Sequence, residues 1–226
     1  MKKALVIVAH PDDEIIWMGG FLLKNKAWSW TIFSLCRFGD DDRRPKFFKV
    51  CKLLGAKGII SNLDDELLEP IEEKKIINMI LDNLKDNDYE YIFTHGENGE
   101  YGHIRHKDVH CAVKQMVKNN LLKCKKLYFF NYSLGKNIPY PALITPSAID
   151  SGDLIIKLSN KELKEKKRIV RDIYGYPNEK GFELMSCGRK ESFSETDSYN
   201  GRLKFLTNLS KSSEHSKRHF GKYQKL

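Results

Sequence analysis

Two short segments concentrate the residues that can do chemistry. The first is Ala9-His10-Pro11-Asp12-Asp13-Glu14. A histidine and a carboxylate three residues apart, held by a turn that Pro11 stiffens, can reach one metal ion. A second carboxylate beside them can stay off the metal and take a proton from a water. The same residues also suit a plain helix start, with Asp12 or Asp13 as the cap and the acids complementing the dipole. That plainer reading leaves His10 without a role and supplies three acids where a cap needs one. The second segment runs from Thr94 to His106 and is polar and glycine-rich, so backbone can approach a ligand closely. It holds His95, His103 and His106, three of the seven histidines. His103 and His106 stand three apart on one face of a helix entrance, and His110 lies four beyond. His110 reads as a helix-surface residue, and His95 as the residue that ends a strand. One His–Asp pair from the first segment and one His from the second give three protein ligands. That count leaves a position for water, as in a catalytic rather than a closed structural zinc site.

These segments need elements that bring them together. Lys3–Ala9 is a continuous apolar run, as expected of a central parallel strand covered on both faces. Glu14–Lys26 has helical spacing of Ile15, Ile16, Met18 and Leu22. Ser29–Cys36, Gly58–Ser61, Tyr89–Thr94 and Leu127–Ser133 read as further strands, and Arg44–Leu54, Pro70–Leu84 and Lys107–Asn119 as helices. Alternation with short connections implies βαβ units and a right-handed, mostly parallel Rossmann-like sheet flanked by helices. Both polar segments then fall at carboxyl ends of strands, where open α/β sheets bind ligands. After Leu134 come a loop-rich stretch, an edge strand at Leu154–Leu158, a basic helix at Asn160–Ile173 and a polar tail at Ser192–Leu226. The expected organisation is a single α/β domain with a core over 1–134 that carries both segments. Residues 135–226 form an extension packing on it.

A length of 226 residues and 41% hydrophobic content suit one globular domain. An aromatic content of 11% excludes wholesale disorder. No apolar run approaches the ~20 residues of a membrane span, and the six-residue apolar stretch after Lys3 is short for a secretory signal. The five cysteines have no CxxC spacing, which points to a reducing, cytoplasmic setting. The net charge of +9 gathers in 161–171 and 203–226. Such a balance suits an anionic small molecule or surface, or else a solvated lysine-rich face. No nucleic-acid-binding pattern accompanies it.

The pair His10-Pro11-Asp12-Asp13-Glu14 and Gly99-Glu100-Tyr101-Gly102-His103-Ile104-Arg105-His106 resembles the motifs of the PIG-L/LmbE family of zinc-dependent N-acetylglucosamine-type deacetylases. The resemblance covers residues 3–134. It implies that His10, Asp13 and His106 hold Zn2+, with Fe2+ or another divalent ion as an alternative. It also implies that Asp12 is the general base, and that His103 and Tyr101 assist at the oxyanion or the leaving amine. Arg44 and Asp65 are the substrate contacts it suggests. Two departures stand out. Arg105 replaces an Asp that the family uses beside the first His, so that Glu97 or Glu100 would have to orient His103. Phe47 stands where the family places a Glu three residues after the Arg.

The expectation is a zinc-dependent hydrolase that removes an N-acetyl group from an amino sugar or glycoconjugate. The alternatives are an amidase acting on another N-acylated metabolite, and a non-catalytic binder of anionic glycan or nucleic acid. No glycine-rich phosphate loop follows the first strand, since Gly19-Gly20 comes too late, and Gly-x-Ser-x-Gly is absent. Asp40-Asp41-Asp42-Arg43-Arg44 reads as a loop over the site, and His215 and His219 as part of a solvated tail.

Overall fold

A computed structural model describes residues 1–67, 69–134 and 145–196, and these belong to one compact unit, Met1–Thr196. The elements in chain order are β1 (Lys3–Val8), α1 (Asp13–Lys24), β2 (Ser29–Ser34), α2 (Arg43–Leu54), β3 (Lys57–Ile60), α3 (Glu73–Asn83), β4 (Asp88–Thr94), α4 (Gly99–Gly102) and α5 (Ile104–Lys118). Then come β5 (Lys123–Phe130), β6 (Tyr132–Leu134), β7 (Pro146–Ala148), β8 (Leu154–Lys157), α6 (Asn160–Arg168), a π-helical turn (Ile169–Tyr174), α7 (Phe182–Ser186) and β9 (Lys190–Glu195).

Seven strands form one sheet in the order β3-β2-β1-β4-β5-β9-β8. The first five are parallel, and β9 and β8 close the far side antiparallel. The architecture is therefore the mostly parallel α/β sheet that the strand–helix alternation predicts. The apolar run of β1 explains its central position. Ala4, Val6 and Val8 pack in the layer that includes α1, α2 and the π-helical turn, whereas Leu5, Ile7 and Ala9 pack against α3 and α5. All six are fully buried, as period-2 alternation in a doubly covered strand requires. The register pairs Ile7 of β1 with Thr94 of β4. It sets the loop after Ala9 beside the loop after Thr94.

Three differences from the sequence reading have physical causes. Ser192–Leu226 is expected to be a polar tail, yet Lys190–Glu195 is a strand inside the sheet. Its alternation is Glu191, Phe193 and Glu195 against Ser192 and Ser194, and Glu191 is fully buried because it is paired. Glu191 accepts from the backbone N–H groups of Gly20 and Phe21 at 2.7 and 2.8 Å and from Lys166 Nζ at 2.7 Å. This carboxylate serves the break in α1, where Met18 leaves helical geometry at φ −142°. Gly20 is needed there, since a Cβ would lie 2.3 Å from Leu158. The helix expected over Asn160–Ile173 ends as α6 at Arg168 and continues as the π-helical turn. The helix expected from Pro70 begins only at Glu73. The basic stretch 203–226, with His215 and His219, and most of the loop-rich stretch after Leu134 lie outside the described residues.

Candidate metal centre and cavity

The carboxyl ends of β1 and β4 meet through a backbone-to-side-chain bond. The N–H of Ala9 donates to Nε2 of His95 at 2.9 Å. His95 therefore carries its proton on Nδ1, which lies 2.9 Å from Oε2 of Glu100. Both ring nitrogens are thus engaged, and burial favours the neutral ring by pushing its pKa down. His95 stacks on His106 with centroids 3.8 Å apart.

Glu100 is fully buried. Its Oε1 accepts from the N–H of Gly96 at 2.7 Å, and its Oε2 also meets His106 Nδ1 at 2.5 Å. Burial opposes its charge, but His95 and His106 hold its pKa down at about 2. The loop is shaped for this. Glu100 itself has φ +56°, and a Cβ on Gly96 would lie 2.4 Å from the carbonyl of Phe130. With Nδ1 donating to Glu100, Nε2 of His106 is the nitrogen that faces Asp13; these two acids outweigh burial and raise the His106 pKa to about 10, so a metal there would take the place of the Nε2 proton. Nε2 is buried and has no hydrogen-bond partner.

That nitrogen lies 3.4 Å from Oδ2 of Asp13, and Nδ1 of His10 lies 3.3 Å from the same oxygen. His10, Asp13 and His106 offer ligand atoms all within 4.8 Å of one another. Asp13 is oriented by Trp17 Nε1, which donates to Oδ1 at 2.9 Å, and by the backbone N–H of His10, which donates to Oδ2 at 2.9 Å. Its pKa falls well below the ordinary carboxylate value, as His106, His10 and His95 outweigh the cost of burial. On the other side of His10, Nε2 lies 3.0 Å from Asp65 Oδ2. Two imidazoles and a carboxylate that include a buried nitrogen without a hydrogen-bond partner are a donor set that fits a divalent metal ion. A carboxylate behind an imidazole is the usual outer-shell support for such a ligand. The groups His10–Cys36–Asp65 and His95–Glu100–His106 also lie close together. In the second, Nδ1 of His95 and Nδ1 of His106 are both spent on Oε2 of Glu100.

Asp12 adjoins this set. It is buried in a left-handed conformation, φ 108°, which is strained for a residue with a side chain. Its Oδ2 accepts from Arg43 Nη1 at 2.8 Å and from the Tyr176 hydroxyl at 2.6 Å. Burial and the neighbouring Asp13 raise its pKa to about 6, against the pull of Arg43 and Tyr176. His103 caps α5 by accepting the N–H of Arg105 on Nδ1 at 3.2 Å, so its proton sits on Nε2. Burial, then His106 and His10, push its pKa down to about 4.

A cavity of about 170 Å3 opens over these groups, lined among others by His10, Asp12, Asp13, Asp65, Tyr101 and His103. The structure thus brings seven of the eight residues singled out from the sequence into one place, since His106 stands behind His10 with centroids 5.4 Å apart. Arg44 is the exception. Its guanidinium sits over Phe38 at 5.1 Å and 3.7 Å from exposed Asp41, while the adjacent Arg43 lines the cavity with Arg37. Arg105 does not crowd His103. It is fully buried and donates to the carbonyls of Asp64 and Glu69, at 2.5 and 2.6 Å, and to Asp108 at 2.6 Å. Glu100 orients His106 and His95 rather than His103. His110 is likewise buried, with Nδ1 2.9 Å from the His95 carbonyl, and is not a surface residue.

The family model described as PIG-L, GlcNAc-PI de-N-acetylase, matches residues 5–117, half of the chain. The chain belongs to the PIG-L family. Membership supports a hydrolytic enzyme of the deacetylase type. An uncharacterized protein of Acanthamoeba polyphaga mimivirus is 29% identical to this PIG-L chain over 183 residues, 74% of this chain and 79% of its own length. Among solved structures, the N,N'-diacetylchitobiose deacetylase from Pyrococcus horikoshii superposes with a TM-score of 0.60 at 16% identity, over 86% of this chain and 84% of that one. The 4-carboxy-2-hydroxymuconate hydratase from Pseudomonas putida superposes with a TM-score of 0.53 at 12% identity, over 88% of this chain and 98% of that one. Likeness at this level shows the PIG-L fold, and a hydratase among the neighbours means that chemistry must be argued from the site.

Sequence reasoning gives His95 and Glu100 other roles and passes over Trp17, Arg43 and Tyr176. All five hold the groups of the candidate site, and Trp17, Arg43 and Tyr176 also line the cavity. Their signals are the first histidine of the second segment, the acid between two glycines and the Tyr174-Gly175-Tyr176 triplet.

Proposed function

We propose that this protein is a divalent-metal-dependent deacetylase that removes an N-acetyl group from an amino sugar or glycoconjugate. One observation carries the reading: the unpartnered Nε2 of His106 faces Asp13 and His10 while a separate carboxylate, Asp12, stands beside them uncommitted to that set. His10, Asp13 and His106 would hold the metal, which we assign as Zn2+ with Fe2+ as the alternative. A metal bound there lowers the pKa of a water to about 7 and polarises an acyl carbonyl.

The remaining chemistry falls to the chain itself. Asp12, with a pKa of about 6, is ionised at neutral pH yet basic enough to take a proton from the attacking water. It can then pass that proton to the departing amine. His103 is neutral with its proton on Nε2, so it serves as a hydrogen-bond donor to the carbonyl oxygen as charge develops there. Tyr101, whose phenol burial keeps protonated, lines the same cavity and can donate to that oxygen. Asp65 Oδ1 is buried without a partner and suits a substrate hydroxyl.

Arg37 and Arg43 line the cavity but are paired with its acids, Arg37 with Asp65 at 2.6 Å and Arg43 with Asp12 at 2.8 Å, so they offset carboxylates already present there. The five cysteines are all free thiols. Among the described residues no helix is long and apolar enough to cross a membrane.

The test is acetate release from N-acetylglucosamine, N,N'-diacetylchitobiose and phosphorylated N-acetyl sugars, with zinc, after chelation and after zinc is restored. Release that stops on chelation and returns with zinc supports the reading. No release from any substrate under any metal contradicts it.

A further inference from the structure

The turn His10–Glu14 is gripped by two tyrosines 160 and 164 residues further along the chain. Tyr174 donates its hydroxyl to Glu14 Oε1 at 2.5 Å, and Tyr176 donates its own to Asp12 Oδ2 at 2.6 Å. The two tyrosines are separated only by Gly175, whose φ of +85° turns the chain so that both reach the same turn. A side chain at that glycine would be strained and would also meet Lys46 Nζ at 3.0 Å. The π-helical turn that ends at Tyr174 delivers this triplet, and such irregular turns recur where a helix is adapted to a site. The triplet lies outside residues 5–117, the span matched by the family model.

Glu14 links the two grips. Its Oε2 accepts the backbone N–H of Asp12 at 3.1 Å, which supports Asp12 in its left-handed conformation. On the side chain, Tyr176 and Arg43 share a single oxygen, Oδ2, and the Arg43 guanidinium lies 4.9 Å from the centre of the Tyr176 ring. Two donors on Oδ2 fix the carboxylate plane and leave Oδ1 as the oxygen that can accept a proton.

We propose that Tyr176, delivered by the Tyr174-Gly175-Tyr176 turn, is a positioning residue that orients the Asp12 carboxylate for proton transfer. The inference rests on the deacetylase reading, in which Asp12 is the base. Tyr176 acts through Asp12, so it sets the turnover of bound substrate and not metal binding. Holding a reacting group in place is worth up to about a hundredfold in rate.

The experiment measures acetate release by the metal-loaded full-length enzyme, using N-acetyl sugars with a radiolabelled acetyl group so that residual turnover is measurable. The proteins are wild type, Tyr176→Phe, Asp12→Asn and the double variant. Phe keeps the ring against Arg43 and removes only the hydroxyl. The expected result is a kcat about 10- to 100-fold lower for Tyr176→Phe, with KM, metal content and melting temperature unchanged. In the Asp12→Asn background the same change should cost less than about twofold, because no carboxylate remains to be oriented. An equal loss in both backgrounds would show a merely structural role and overturn the proposal, as would a wild-type kcat or a change confined to KM. If wild type is active and Tyr176→Phe is indistinguishable from it, only the positioning role fails. If wild type releases no acetate with any metal, the deacetylase reading fails and the positioning role falls with it.

Discussion

Glu100 lies 2.5 Å from Nδ1 of His106, through the same oxygen that meets His95 at 2.9 Å. One fully buried carboxylate therefore decides the tautomer of the histidine that completes the candidate metal set. Its backbone, at φ +56°, is held in a conformation that few side-chain-bearing residues adopt. A structural role alone would not need an acid aimed between two imidazoles.

Replacing Glu100 by Gln should weaken the metal site without removing a ligand. Loss of an outer-shell carboxylate typically costs 10- to 100-fold in metal affinity. A competition titration against a chromophoric chelator measures this directly. Unchanged zinc affinity in Glu100→Gln would show that His106 is oriented by something else.

Asp12→Asn should keep the metal and lose the reaction. Removal of a general base usually costs about 10²- to 10⁴-fold in rate. Elemental analysis and acetate release on the same preparation separate the two effects. Loss of metal together with activity would instead place Asp12 among the ligands.

The Lys166–Glu191 pair is a stability element remote from the chemistry. Both side chains are fully buried and 2.7 Å apart, and Glu191 also caps the broken α1 through Gly20 and Phe21. Truncating one member of a buried pair strands the other charge and costs about 3–5 kcal/mol. Lys166→Ala should show this loss in urea unfolding. A loss below about 1 kcal/mol would mean that water or a neighbour compensates Glu191.

Glu162 supplies a pH test of the exposed face. Lys24, 2.5 Å away, and the Ser159 cap hold its pKa down to about 2, from an ordinary value of 4.5. A depressed carboxylate pKa adds stability that is present above pH 4.5 and is lost as pH falls from there toward 2. Glu162→Gln should therefore melt below wild type at pH 7, and the gap should close as pH drops through that window. Because the pair is exposed, added salt should shrink the gap as well. A gap that is constant from pH 7 to 3 would contradict the assignment.

The sheet was legible because β1 is apolar on both faces and the strands alternate with amphipathic helices. The residues facing the cavity were legible because their types are rare and closely spaced: His10, Asp12 and Asp13 in one turn, Tyr101, His103 and His106 in another. What the sequence hid were contacts between segments far apart in the chain. Nothing local marks His95 as the acceptor of the Ala9 N–H, 86 residues away. Nothing local ties Tyr176 to Asp12 across 164 residues. Strand β9 is hidden because Phe193 is its one apolar residue and Ser192 onward is polar, while Glu191 is buried through Lys166 and the N–H groups of Gly20 and Phe21. Arg43 and Arg44 are chemically identical, and helix phase alone decides which one reaches the cavity.

The most direct test of the metal centre is elemental mass spectrometry of the protein purified without a polyhistidine tag, beside His10→Ala and His106→Ala variants. The expected result is near-stoichiometric zinc or iron in the wild type and none in either variant, with all three folded by circular dichroism. A wild-type protein that stays free of metal after zinc is offered, or a His106→Ala variant that keeps a full complement, would contradict it.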